Sequence, residues 1–135
     1  MTDETDKRFN DYVERARGKR GYLPASMVYA AKRDIDFIEA YDQIYANSLN
    51  DGKAFPAKYR ELVCAAVLAF RGFDPAVYEH LKRAIRLGAT HQECLEAMEA
   101  TIIPGGWPTV SSGLRALIKI EEEEQKEKDK AKQEA

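Results

Sequence analysis

Nine consecutive residues, Leu62-Val63-Cys64-Ala65-Ala66-Val67-Leu68-Ala69-Phe70, carry no charge. Read as a helix, this stretch has no polar side, whereas a helix at a protein surface keeps one face for water. It is roughly half the ~20 apolar residues that a membrane span requires. Its sides must therefore be covered by protein. A chain of 135 residues makes one domain, with a core of its own but no room for two full-sized ones. A bundle of about six helices in so small a chain has difficulty enclosing one of them completely. Ala65, Ala66 and Ala69 also permit close approach of a neighbouring helix. The expectation is that one side of this helix meets another subunit.

Composition narrows the remaining choices. The chain is 44% hydrophobic and 33% charged, and its 21 basic and 23 acidic residues sum to −2. No large basic field for nucleic acid follows from that balance. Ala100–Leu114, the other long uncharged stretch, is interrupted by Pro104, Gly105, Gly106 and Pro108, so no membrane span is expected. The start Met1-Thr2-Asp3-Glu4 lacks the basic and then apolar regions of a signal peptide. Two cysteines, Cys64 and Cys94, cannot make a disulfide scaffold and read as reduced thiols of a cytoplasmic protein.

Periodicity is helical almost throughout. Asp6–Arg17 forms a charged first helix, stopped at Gly18-Lys19-Arg20-Gly21. Pro24 suits a first helical position ahead of Ala25–Lys32. Asp34 can cap a third helix with Ile35, Ile38, Tyr41, Ile44 and Tyr45 on one stripe. Pro56 opens a helix to about Arg71, and Asp74-Pro75 reads as a cap and first turn of the next, which Gly88 ends in a left-handed conformation. Thr90-His91-Gln92-Glu93 has capping-box spacing, with a helix to about Ile103. Pro104-Gly105-Gly106-Trp107 is expected as a loop and Pro108 as the opening of a last helix. That helix passes into Glu121–Ala135, where 7 acids and 4 lysines leave no apolar stripe, a solvated or frayed helical tail. The fold class is all-α, a bundle of six to seven helices. Residues 1–55 supply N-terminal helices, 56–120 a core, and 121–135 a charged tail.

The chemistry-bearing residues are few. Glu61 opens the uncharged helix, with Cys64 one turn along the same side. Glu61 alone is a first-turn carboxylate favoured by the helix dipole, and Cys64 alone is a small buried hydrophobe. His80 lies three residues after Val77 and four before Ala84, at the border of the inner face of its helix. It reads either as a core histidine bonded to a carbonyl or as an imidazole whose proton affinity is tuned by burial and a carboxylate. His91, near a cap, is expected exposed. Two glycines beside the sole Trp, Trp107, are either a tight link or a place where backbone and an aromatic wall approach a ligand. No Cys/His metal spacing, phosphate-cradling loop or serine nucleophile elbow is present.

From Arg60 to about Leu117 the chain resembles the carboxymuconolactone decarboxylase family, within the alkyl hydroperoxidase D-like superfamily. The resemblance rests on Arg60-Glu61-Leu62, on His80-Leu81-x-x-Ala84-x-x-x-Gly88-Ala89-Thr90-x-x-Glu93, and on Leu95-Glu96 and Gly106-Trp107-Pro108. It implies an all-helical domain assembling into trimers or hexamers, with Glu61 and His80 lining a pocket near subunit contacts. In the hydroperoxidase branch a Glu is followed by Cys-x-x-Cys and His at spacings of 12, 3 and 4, which here select Phe73, Ala76 and His80 after Glu61. The outer residues match and both redox cysteines are missing, which argues against dithiol peroxidase chemistry.

The decarboxylase branch needs no cysteine pair. The substrate's own lactone carbonyl accepts the electrons left by departing CO2, so no metal or organic cofactor is implied. The resulting expectation is a lyase acting on a small carboxylated lactone or ring-derived acid. His80 and Glu61 act as its acid/base pair, Arg83 as a clamp for the substrate carboxylate, and Trp107 as a pocket wall, with Cys64 also at the binding site. A surface role for Arg83 stands beside that one. The alternatives are a peroxide-linked thiol protein using Cys64 with Glu61 and His80, and a non-catalytic oligomer that binds a small molecule. Tyr22, Tyr29, Tyr41 and Tyr45 lie outside the resemblance and suit either a core or a pocket for an aromatic acid.

Overall fold

A computed structural model describes residues 3–135. It contains seven helices and no strand among those residues: α1 (Asp3–Arg20), α2 (Ala25–Arg33), α3 (Ile35–Leu49), α4 (Ala57–Phe70), α5 (Asp74–Arg86), α6 (His91–Glu99) and α7 (Ile102–Glu134). The all-α expectation is met. The helices fall into two compact units, one ending at Gly52 and the other beginning at Lys53.

In the first unit α1 continues through Gly18 and stops at Arg20, where Gly21 takes a positive φ of 77°. Tyr12 and Ala16 of α1 pack with Ala31, Ile35 and Ile38. Asp34 caps α3 as expected, its Oδ1 accepting from the Phe37 N–H at 3.0 Å. The apolar stripe of α3 holds only at Ile35 and Ile38, because Ile44 and Tyr41 point to solvent and Asp42 is turned inward. Asp42 is drawn in by Arg20, a buried cation whose Nη2 lies 2.9 Å from Asp42 Oδ1 and whose guanidinium sits 3.8 Å from the Tyr45 ring. Tyr29 is likewise exposed and stacks under Arg33, so these tyrosines serve cation–π contacts rather than a core.

In the second unit α4 lies against α5, α6 and α7. Leu62, Ala65, Val77, Leu81, Cys94 and Met98 form its centre. Gly72 and Gly88 end α4 and α5 with positive φ, as read from the sequence. Asp74 does not cap α5: Phe73 occupies the cap position, and the Asp74 carboxylate accepts from Ser112 Oγ at 2.5 Å and Arg115 Nη2 at 2.8 Å instead. Those donors hold the Asp74 carboxyl below its ordinary range. The Thr90–Glu93 capping box is present in full.

Two expectations about the C-terminal third are corrected. α6 ends at Glu99, four residues early, because Ala100 and Thr101 turn the chain and Thr101 Oγ1 donates to the Met98 carbonyl. The expected loop at Pro104–Trp107 is instead a single break in an otherwise helical run: Gly106 alone is non-helical, with φ 73° and ψ 176°. Only glycine tolerates that combination, so one residue bends the helix where a four-residue link was expected. Beyond the bend the helix continues to Glu134, exposed over its last turns. Its first charged turns are tied to the bundle: Glu123 accepts from Tyr78 and Lys82, and Glu124 and Glu121 engage His91. His91 is thus half-buried and partnered, contrary to the expectation of exposure.

Candidate functional site

The uncharged stretch positions the site. In α4 Glu61 falls on the same side as Ala65, which is wholly buried in the core, and so Glu61 enters the interior with 0% exposure. An ionised carboxylate there requires partners of opposite charge. Both come from α5, whose apolar residues Val77, Leu81 and Ala84 seat that helix against the core. His80 Nδ1 lies 2.6 Å from Glu61 Oε2, and Arg83 Nε lies 2.9 Å from Glu61 Oε1. The three-residue spacing of His80 and Arg83 places both over one carboxylate, one on each oxygen. Both side chains are buried.

The second nitrogen of His80 faces Cys64, with Nε2 and Sγ 3.6 Å apart. Burial alone would depress the affinity of this imidazole for a proton, but the contacts with Cys64 and Glu61 outweigh it and push the His80 pKa up to about 9. Cys64 is half-buried at the edge of the cluster, whereas Cys94 is enclosed, and burial pushes the Cys94 thiol up to about 11.

The structure thus brings Glu61, His80, Cys64 and Arg83 together. Arg83 is not a surface side chain: it is buried, with its Nε on Glu61. Trp107 lies 62% exposed just past the bend at Gly106. The alternation of apolar residues located His80 on its helix, but no local pattern indicated that Arg83 turns inward. The signal that could have found it is the need of a buried Glu61 for a second cation.

Two further features surround α4. Its outer face leaves Val63, Val67 and Phe70 at 54, 55 and 66% exposure. Beside that face runs an apolar groove of about 260 Å³, lined by Ala66, Val67, Phe70, Thr101, Pro104, Gly105 and Thr109. In the single chain the uncharged helix is therefore uncovered on one side. Among the described residues no three His, Cys, Asp or Glu side chains form a metal-ligand set, and no helix is long and apolar enough to cross a membrane.

Comparison with known proteins places this geometry. Residues 36–119 match the model of the carboxymuconolactone decarboxylase family. An uncharacterised protein of Methanocaldococcus jannaschii is 27% identical over 100 residues, covering 73% of this chain and 92% of that one. An uncharacterised protein of Cupriavidus necator is 29% identical over 80 residues, covering 59% of this chain and 70% of its own. The fold is similar to a crystal structure of a candidate carboxymuconolactone decarboxylase from Burkholderia xenovorans, with a TM-score of 0.75 at 21% identity, over 91% of this chain and 98% of that one.

Proposed function

This chain belongs to the carboxymuconolactone decarboxylase family, and on that premise we propose that it is a cofactor-independent lyase that decarboxylates a small carboxylated lactone or ring-derived acid. The observation that carries the reading is a buried imidazole with one nitrogen fixed. Glu61 occupies His80 Nδ1 and leaves Nε2–H, beside Cys64, as the proton available for transfer.

In the proposed reaction the substrate carboxylate leaves as CO2. The electron pair of the broken bond delocalises through the ring to the lactone carbonyl oxygen. His80 Nε2–H then protonates the carbanionic carbon, and solvent returns the proton to His80. Net, one carboxylate and one proton give CO2 and a C–H bond. The His80 cation also stabilises the oxyanion before transfer, and Glu61 holds the ring in line. A general acid contributes about 10²–10⁴ in rate. The test is a screen of carboxylactones and aromatic acids for CO2 release with wild type and His80→Ala. The reading requires release by the wild type and a loss of that order in the variant; turnover within twofold of wild type removes His80 from the chemistry.

The Cys64–His80 contact favours a second reading, reduction of a peroxide by Cys64. Sγ would attack the peroxide oxygen, giving a sulfenic acid and an alcohol or water, and two equivalents of an external thiol would restore it. An external thiol is needed because Cys94 is enclosed in the core. Peroxide turnover that vanishes in Cys64→Ser would favour this reading over the first.

The proposed assembly is a trimer or hexamer of this chain, joined through the outer face of α4. What supports it is the apolar surface of Val63, Val67 and Phe70. Apolar surface of this kind concentrated on one helix marks an interaction site.

A further inference from the structure

We propose that Arg83 is a positioning residue that decides on which side of the Glu61–His80 hydrogen bond the proton rests. This rests on the reading of His80 as the acid, but its test needs no substrate.

Water does not reach Glu61. A buried carboxylate and an imidazole 2.6 Å apart can share one proton in two ways. In the ion pair, carboxylate faces imidazolium and both nitrogens carry hydrogen. In the neutral pair, the proton sits on Glu61, which donates to a bare Nδ1. Removal from water penalises the ion pair, because two charges must be desolvated for one attraction. A second cation on the other carboxylate oxygen changes that balance. With its Nε 2.9 Å from Oε1, Arg83 sets a second positive charge against the carboxylate form of Glu61 without competing for Oε2. The proton is therefore left on His80.

The arrangement has a consequence for chemistry. Only the ion pair makes His80 an acid at Nε2 with a cation's strength. In the neutral pair Nε2–H belongs to a neutral imidazole, which is a far weaker acid. Arg83 thus acts through Glu61 and touches no reacting atom.

These charged groups around α5 are engaged elsewhere. From α4, Glu61 and Cys64 face His80, and Lys58 is bound to Glu93 of α6. From α7, Glu123 is bound to Lys82 and Tyr78, Lys119 lies over the Tyr78 ring, and Arg115 is bound to Asp74. His91 of α6 faces Glu121 and Glu124. Arg83 is the cation set on Glu61 opposite His80.

The chain has only two histidines, so ¹⁵N-histidine NMR reads the proton directly, with His91→Gln assigning the signals. In the wild type at pH 7 both His80 nitrogens should be protonated, and after deprotonation at high pH the remaining proton should stay on Nδ1. In Arg83→Met and Arg83→Gln at pH 7, Nδ1 should show the shift of an unprotonated, hydrogen-bond-accepting nitrogen while Nε2 keeps its proton. Arg83→Lys should restore the imidazolium. Unchanged His91 signals and far-UV circular dichroism establish that each variant is folded, and Gln provides a polar replacement if Met does not fold. A folded neutral variant whose His80 stays doubly protonated at pH 7 overturns the proposal, as does a Lys variant that behaves like Met. The two readings fail separately. A wild type with the expected NMR pattern and no decarboxylation loses only the reaction, and an active wild type with the neutral pair loses only the role of Arg83.

Discussion

At the scale of single residues, the site is a chain of four side chains in which each oxygen or nitrogen has a distinct neighbour. Arg83 meets Oε1 of Glu61, His80 Nδ1 meets Oε2, and Cys64 meets Nε2. A prediction follows from the proton on His80. Its pKa rises from 6.5 to about 9 on folding, so the protonated folded state contributes stability that is full below pH 6.5 and is lost as pH rises through about 9. The difference in unfolding free energy between wild type and His80→Gln should therefore shrink from pH 6 to pH 9.5, read by urea denaturation at each pH. A difference that grows with pH would contradict the assignment. By the same proton, any decarboxylase activity should fall as pH rises through about 9.

At the scale of elements, two glycines in α7 fix how that helix meets its neighbours. Gly106, with φ 73° and ψ 176°, makes the bend, and a side chain there meets backbone strain rather than a neighbour. Gly106→Ala should lower stability by about 1–3 kcal/mol in thermal or urea denaturation. Gly113 differs in cause. A Cβ on it would lie 2.3 Å from Met98 Cγ, so α6 and α7 touch where no side chain fits. Gly113→Ala should cost about 1–3 kcal/mol through overpacking. The double variant Gly113→Ala/Met98→Ala should behave differently, removing the clash but opening a cavity. An equal loss from Gly113→Ala in the wild-type and Met98→Ala backgrounds would refute the packing account. Between α4 and α6 the tie is electrostatic: the Thr90 N–H, Lys58 and Tyr59 hold the Glu93 carboxyl down to about 2, so one residue of the capping box also fastens two helices.

At the scale of the whole molecule, the outer face of α4 is the feature without a partner in the single chain. Val67→Glu places a charge on a side chain that is 55% exposed, which a monomer tolerates. If that face joins copies of the chain, sedimentation velocity should show an assembly for wild type and a monomer for Val67→Glu, with unchanged far-UV circular dichroism. A wild-type monomer at micromolar concentration would remove the assembly from the reading.

The same face shows what was legible in the amino-acid order and what was not. The helical class, the cap at Asp34, the capping box at Thr90 and Glu93, and the glycine stops at Gly72 and Gly88 are local. Each depends on residues within one or two turns, so periodicity and cap chemistry are enough to find it. Glu61 and His80 were also legible, from spacing on their own helices and from the family pattern. The inward turn of Arg83, the placing of Cys64 against His80, the partners of His91 and the loss of the Asp74 cap were not. These depend on which face of one helix meets which face of another, and that is set by the packing of the whole core. Sequence determined which helices form and where Glu61 and His80 lie on them. Only the tertiary structure decided that a carboxylate cut off from water takes a histidine and an arginine from the neighbouring helix, because the demand for a second partner arises only when that carboxylate is buried.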